Sequence, residues 1–131
     1  MSTLFTKIVK GEIPAYKVAE NSKFLAFLDI RPNAKGHVLC IPKKEVDKIW
    51  DLEVEMYQEL MRFTRCVAVA LEKTVSCKRV GMAVVGLEVP HTHVHLIPLN
   101  TMGDMDFSNN VEMSDEEFKE LADKIAAKVD L

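Results

Sequence analysis

HTHVHLIP, residues 91–98, sets three histidines at alternate positions and runs directly into an apolar stretch. In an extended chain alternate residues point to the same side, about 6.6 Å apart. The segment predicts a strand over residues 93–99, with His91, His93 and His95 in a row on one face and Thr92 and Val94 on the other. Leu96, Ile97 and Leu99 carry that strand into a core. Three imidazoles on a half-buried strand are costly without a task. Each ring needs hydrogen-bond partners, and protonating one disfavours protonating the next.

Three readings of the row compete. As a metal site it supplies two ligands well, but a flat strand holds His91 and His95 roughly 13 Å apart. That is too far for both to reach one zinc ion at about 2.0–2.1 Å, and only His37 is left as a further histidine. As a structural feature, the rings would be satisfied inside the fold. As a phosphate site, a central imidazole would act as nucleophile while its neighbours carry the proton and the positive charge that a phosphoryl group needs. The motif alone leaves all three open.

Working outward, residues 79–85 (RVGMAVV) form the preceding strand, joined by a connection through Leu87, Glu88, Val89 and Pro90. Upstream, Met56, Leu60, Phe63, Val67 and Leu71 recur at helical spacing, which predicts a long helix over residues 52–74 with Asp51 as N-cap. Residues 16–19 and 24–30 read as strands joined by turn chemistry at Glu20, Asn21 and Ser22. Residues 37–42 (HVLCIP) are a third strand closed by its proline, and residues 3–9 a short helix or turn. After a polar loop over 100–113, Ser114 and Glu117 form a capping box that opens a last helix with Phe118, Leu121, Ala122, Ile125 and Val129 on its apolar face. The expected architecture is α+β: a five-stranded antiparallel sheet, one long helix on a face, a C-terminal helix, and the helices gathered on one side.

At 131 residues the chain holds one domain, with residues 1–100 as the core carrying the histidines and 101–131 as the C-terminal loop and helix. Hydrophobic residues make up 48%, too many for a disordered chain, and the longest apolar run, residues 66–71, is far too short to span a bilayer. The N-terminal MSTLFTKIVKGE has no apolar core of a secretory signal. A net charge of −3 without a basic stripe argues against gripping a nucleic-acid backbone. Cys40, Cys66 and Cys77 are an odd count with no CxxC spacing, which fits reduced thiols and a cytoplasmic location.

Residues 91–98 resemble the His-φ-His-φ-His-φ-φ motif of the histidine triad (HIT) superfamily of nucleotide hydrolases and transferases, with Thr92 departing at the first φ. Residues 5–46 are similar to the N-terminal half of that family, with KGEIP (10–14), AFLDIRP (26–32) and GHVLCIPK (36–43) in the same order and spacing. The pattern is closest to the purine nucleoside phosphoramidase and nucleotide hydrolase branch. The resemblance implies that His93 attacks the α-phosphorus of a nucleotide, forming a transient phosphohistidine that water resolves. It implies further that His95 contacts the α-phosphate or leaving atom, that His91 and His37 orient the row, and that Asp29 accepts the ribose hydroxyls. Ile13, Phe27 and Ile30 would enclose the base.

The expected substrate is a purine nucleotide, an adenosine or guanosine monophosphate joined to an amine, acyl or phosphate leaving group. No cofactor, nucleic acid or membrane partner is expected, and the resemblance implies that this chain is a homodimer paired through the long helix and an edge strand. A dinucleoside polyphosphate hydrolase or nucleotidyltransferase is the alternative enzyme, and a nucleotide-binding module with vestigial catalysis the alternative outside enzymes. Two departures stand out. The loop before the triad is shortened to Gly86, Leu87 and Glu88, which leaves Glu88 near the expected phosphate position. Some relatives hold structural zinc through an N-terminal CxxC, the first triad histidine and a later histidine. Here Thr3, Thr6 and Glu45 occupy three of those positions, so the expected metal site is none.

Overall fold

The computed structural model describes residues 2–131. Five strands, β1 (Lys17–Glu20), β2 (Phe24–Leu28), β3 (Val38–Pro42), β4 (Arg79–Ala83) and β5 (Val94–Leu99), form one sheet in the order β1-β2-β3-β5-β4. Every neighbouring pair is antiparallel. The α+β class and five-stranded sheet expected from the sequence are those observed.

The β1–β2 hairpin closes as its turn chemistry requires. The Asn21 side-chain oxygen accepts from the main-chain N–H groups of Lys23 at 3.0 Å and Phe24 at 2.8 Å. Strand alternation then sorts the sheet into two apolar faces. Phe24, Ala26, Leu28, Val38, Cys40, Val94 and Leu96 lie in the larger core, beneath the long helix α2 (Val54–Thr74) and the C-terminal helix α3 (Asp115–Ala126). Leu25, Phe27, Leu39 and Ile41 face the other way and pack against Phe5 and Ile8 of the short helix α1 (Leu4–Val9). The helices are therefore not all on one side. α1 covers the opposite face because alternation gives this sheet two apolar faces, and each needs cover.

Helix α2 buries Leu60, Phe63, Val67 and Leu71 as its spacing predicts, together with Thr64 and Ala70. Its start differs from the expectation. Burial of Ile49 and Leu52 draws the chain into a 3-10 turn at Ile49–Asp51, so Asp51 sits in that turn and Glu53 is the N-cap, with no side-chain cap bond. The Ser114–Glu117 capping box forms in both directions at 3.2 Å. Helix α3 is further fixed to the β1 hairpin by Phe118, whose ring stacks on Tyr16 at a centroid distance of 5.0 Å.

Candidate functional site

Register delivers one histidine to the α1 face of the sheet. Phe27 pairs with Leu39, Leu39 with His95, and His95 with Ala83, so the four form one cross-sheet row. The other two histidines precede the strand, which begins at Val94 rather than His93. Thr92 explains the shift. Its N–H at 2.7 Å and its hydroxyl at 2.8 Å both donate to the Val46 carbonyl, which pulls the main chain out of the ladder. All three rings still gather on the α1 face, His91 and His93 by side-chain contact rather than by ladder register, since Phe5 meets both. His93 and His95 remain neighbours at a centroid distance of 4.9 Å, while the two nitrogens of His91 are engaged elsewhere.

Partner identity sets which nitrogen carries each proton, since a carbonyl can only accept and a main-chain N–H can only donate. His93 Nδ1 lies 2.7 Å from the His91 carbonyl and must donate to it, which leaves Nε2 of the neutral ring as a bare lone pair. His91 Nε2 donates to the Pro42 carbonyl at 2.8 Å, so its Nδ1 accepts. His37 Nδ1 accepts from the Asn33 N–H at 3.0 Å. The proton of His37 is then on Nε2, 2.9 Å from His95 Nδ1, which accepts it. His95 consequently carries its own proton on Nε2. The chain Asn33 to His37 to His95 thus runs in one direction and ends in a free N–H donor beside the free lone pair of His93.

Burial favours the neutral form of His37, His91 and His95. It pushes His37 down to about 3 and His95 down to about 4, helped in both by the neighbouring imidazoles. Burial also lowers His91 and raises the Asp29 carboxyl. His93 and His95 retain 7% and 8% of their surface, enough for a reacting atom to reach a ring edge but little for bulk water.

Asp29 follows β2 and lies close to this chain. Its Oδ1 accepts from the Arg31 N–H at 2.8 Å, and its Oδ2 is 3.6 Å from His37 Nε2. Ile13 packs half-buried against the α1-side cluster, and Phe27 is 97% buried within it. Ile30 is 70% exposed and, with Arg31 and residues 110–113, lines an open cleft of about 510 Å³. The three expected base-contacting residues thus differ sharply in exposure, and Ile30 offers the most free surface.

Two aromatic rings escaped the sequence reading. Phe5 of α1 stands edge-on to His93 at 4.9 Å, and Phe107 stands edge-on to His95 at 4.8 Å. Phe5 lies in a six-residue helix too short to show periodicity, and Phe107 in a polar loop with none. Asn33, which orients His37, was equally silent, because only its main-chain N–H makes that bond.

Two clusters bear on metal binding. Asp29, His37 and His95 offer one ligand atom each within 4.8 Å of one another, nitrogen and oxygen donors of the kind zinc accepts. The short His37–His95 contact already holds a proton there, which a cation would have to displace. Thr3, Thr6, Glu45 and His91 do come together, as the resemblance implies, but as a hydrogen-bonded group. Thr3 Oγ1 is 2.9 Å from His91 Nδ1, and Thr6 Oγ1 donates to Glu45 Oε1 at 2.7 Å. Two hydroxyls do not fit zinc's preference for thiolate, imidazole and carboxylate. Glu88 is exposed, while Lys35 pairs with Glu117 at 3.4 Å and His91 is bonded at both nitrogens.

The family model described as HIT domain matches residues 10–102. An adenosine 5'-monophosphoramidase of Schizosaccharomyces pombe is 34% identical over 98% of this chain and 99% of its own length. A HIT-like protein of Bartonella henselae, described as involved in cell-cycle regulation, superposes with a TM-score of 0.85 at 30% identity, covering 97% of this chain and 96% of that one. A zinc-bound histidine triad family protein of Mycobacterium smegmatis superposes with a TM-score of 0.82 at 27% identity, covering 98% and 94%.

Proposed function

The chain belongs to the HIT domain family, and from that premise we propose that it is a nucleotide hydrolase releasing a nucleoside 5'-monophosphate from an amine, acyl or phosphate leaving group. The observation that carries this reading is the pairing of a proton-free His93 Nε2 with a proton-bearing His95 Nε2 on adjacent rings. His93 Nε2 attacks the α-phosphorus. An N–P bond forms as the bond to the leaving group breaks, and the leaving group takes up a proton. Water then attacks the phosphorus, breaks the N–P bond and returns the lone pair to Nε2, releasing to solvent one proton that balances the one the leaving group took from it. The His95 N–H donates to a phosphoryl oxygen or to the departing atom. With its pKa held low, it does so as a neutral ring.

His37 and His91 orient the two reacting rings. Asp29 accepts the ribose hydroxyls, and its partial burial strengthens those bonds. Ile30, Ile13 and Phe27 enclose a purine base, Ile30 by direct contact, half-buried Ile13 and buried Phe27 by shaping the wall. A purine nucleoside phosphoramidate is the favoured substrate, as the similarity to a monophosphoramidase supports.

The active form is a homodimer. Strand β4 is an open sheet edge, and Met82, Val84 and Val85 on and just beyond it are exposed, as is Val69 on α2. A second copy would cover an edge that otherwise invites unspecific pairing. Sedimentation at micromolar concentration should give twice the 14.8 kDa chain mass, and a purely monomeric species would refute the pairing.

The direct assay is chromatography of AMP released from adenosine 5'-phosphoramidate, with a dinucleoside polyphosphate in parallel and equilibrium binding of AMP. Fast AMP release from the phosphoramidate supports the reading. Preference for the polyphosphate favours the alternative enzyme, and binding without turnover makes the chain a nucleotide-binding module.

A further inference from the structure

Helix α1 is not only a cover for the sheet, because its N-cap reaches the histidines. Thr3 Oγ1 accepts the Thr6 N–H at 3.1 Å, the capping bond of α1, and lies 2.9 Å from His91 Nδ1. Since His91 Nε2 donates to Pro42, Nδ1 is a lone pair and the Thr3 hydroxyl supplies the proton. The surroundings leave that proton one short destination. Thr6 gives its own hydroxyl proton to Glu45 Oε1, and the Thr3 N–H donates to the same oxygen at 2.8 Å. Thr6 Oγ1 stands at a longer 3.3 Å from both Thr3 Oγ1 and His91 Nδ1.

The consequence passes along His91. Its fully buried ring is gripped at both nitrogens, between α1 and the end of β3, and its N–H is held by the Val89 carbonyl at 2.8 Å. The residue can neither swing nor flip, and its carbonyl is the acceptor that fixes the His93 tautomer. Phe5, from the same helix, braces both rings, edge-on to His93 at 4.9 Å and to His91 at 5.8 Å.

We propose that Thr3 is a positioning residue for His93: its hydroxyl, oriented by Thr6 and Glu45, locks the His91 ring and thereby the carbonyl that presents His93 Nε2 as a lone pair. This rests on the proposed role of His93 as nucleophile. The geometry also sets a chemical requirement at position 3, a side chain that accepts from the Thr6 N–H and donates to His91 at once. A hydroxyl does both, a carboxylate only accepts, and an isopropyl group does neither.

The test compares Thr3→Val, Thr3→Ser and Thr3→Asp by steady-state kinetics on adenosine 5'-phosphoramidate and by 15N NMR of the histidine rings. Val matches Thr in shape, so packing is kept. The expected result is a kcat lowered about 10- to 100-fold in Thr3→Val with KM changed less than about threefold, as for a misplaced reacting group. Ser should restore kcat to within about threefold of the parent. Asp, which can cap α1 but cannot donate, should not. In the spectra, His91 Nε2 should stay protonated in every variant because the Pro42 carbonyl holds it, while the unprotonated Nδ1 should keep the shift of a hydrogen-bonded acceptor in the parent and in Thr3→Ser and move toward that of an unbonded nitrogen in Thr3→Val. Restoration by Asp as well as Ser would reduce Thr3 to a helix cap and overturn the proposal, as would an unchanged kcat in Thr3→Val. The NMR arm needs no turnover. If the parent protein hydrolyses nothing, the functional reading fails while the His91 Nδ1 shift still decides the role of Thr3, with an unchanged Nδ1 shift in Thr3→Val refuting it.

Discussion

The Nδ1 of His93 donates to the main-chain carbonyl of His91 across 2.7 Å, a bond between two residues of one motif that turns an ambiguous imidazole into one with a defined free nitrogen. A side chain that loses this nitrogen cannot enter the proposed covalent route. His93→Ala should lower kcat by about 10³-fold or more while nucleotide affinity changes little, because the ring is asked to act on the transition state rather than to hold the base. Turnover and equilibrium binding of AMP measured on the same preparation check both halves.

Removing His37 should cost less. His95 Nδ1 would lose its donor and could take the proton itself, giving up the Nε2–H that faces the site. His37→Ala should therefore reduce kcat about 10- to 100-fold, the range for groups that orient a reacting residue. Steady-state kinetics read it directly, and a loss as deep as that of His93→Ala would mean His37 acts on substrate itself.

Acid should weaken the fold. In the unfolded chain histidines bind protons near their ordinary value of about 6.5, whereas native His95 and His37 resist until about 4 and about 3, and His91 is lowered in the same sense. The unfolded state thus holds more protons between about 6.5 and about 3. This contribution to stability is complete above that window and is lost as pH falls through it. The raised Asp29 carboxyl works in the opposite sense, while the lowered carboxyls of Glu20, Glu45, Asp104, Asp106 and Glu117 add to the loss at lower pH. Tm should fall by about 5 °C or more between pH 7 and pH 5, and His37→Asn should flatten the slope. A Tm that is level across this range would contradict the native-state values.

Gly36 stands directly before His37 with φ of +101°, and a Cβ there would meet Val75 Cγ2 at 3.0 Å, Pro98 Cγ at 3.1 Å and Leu71 Cδ1 at 3.2 Å. Backbone strain and overpacking add, so Gly36→Ala should destabilise by about 2–4 kcal/mol. Gly11, with φ of +77° and open space around it, isolates the first effect, and Gly11→Ala should cost about 1 kcal/mol. Denaturant titrations of the two variants give the comparison.

Glu88, exposed at the surface, should be neutral for catalysis. A carboxylate within about 4 Å of a phosphate would cost about 4 kcal/mol at an effective dielectric of 20. Glu88→Gln should leave the pH–rate profile where it is, and a large gain in rate would place the charge against the substrate.

The sheet, the long helix and the C-terminal capping box were legible because periodicity and capping are local properties. Phe24 to Leu28 and Val38 to Pro42 read as strands, but every residue in them is apolar and buried, so the pattern alone carries no register. The geometry of the triad was not legible, since it depends on Thr92 finding the Val46 carbonyl, a contact 46 residues distant in sequence. For the same reason the start of α2 was misplaced: burial of Ile49 and Leu52 overrode Asp51, which by type alone is the better cap. His37 and Asp29 could be named from the resemblance, but the direction of the Asn33–His37–His95 chain required the partners of both nitrogens.

The central claim is a covalent nucleotidyl intermediate on His93 Nε2, and rapid quenching of the protein mixed with adenosine 5'-phosphoramidate, followed by peptide mapping in a mass spectrometer, tests it most directly. The expected result is a transient AMP adduct confined to the peptide carrying residues 91–98, located on His93 and absent from His93→Ala. AMP release by the parent protein with no adduct at any quench time, or an adduct located on His95, would contradict it.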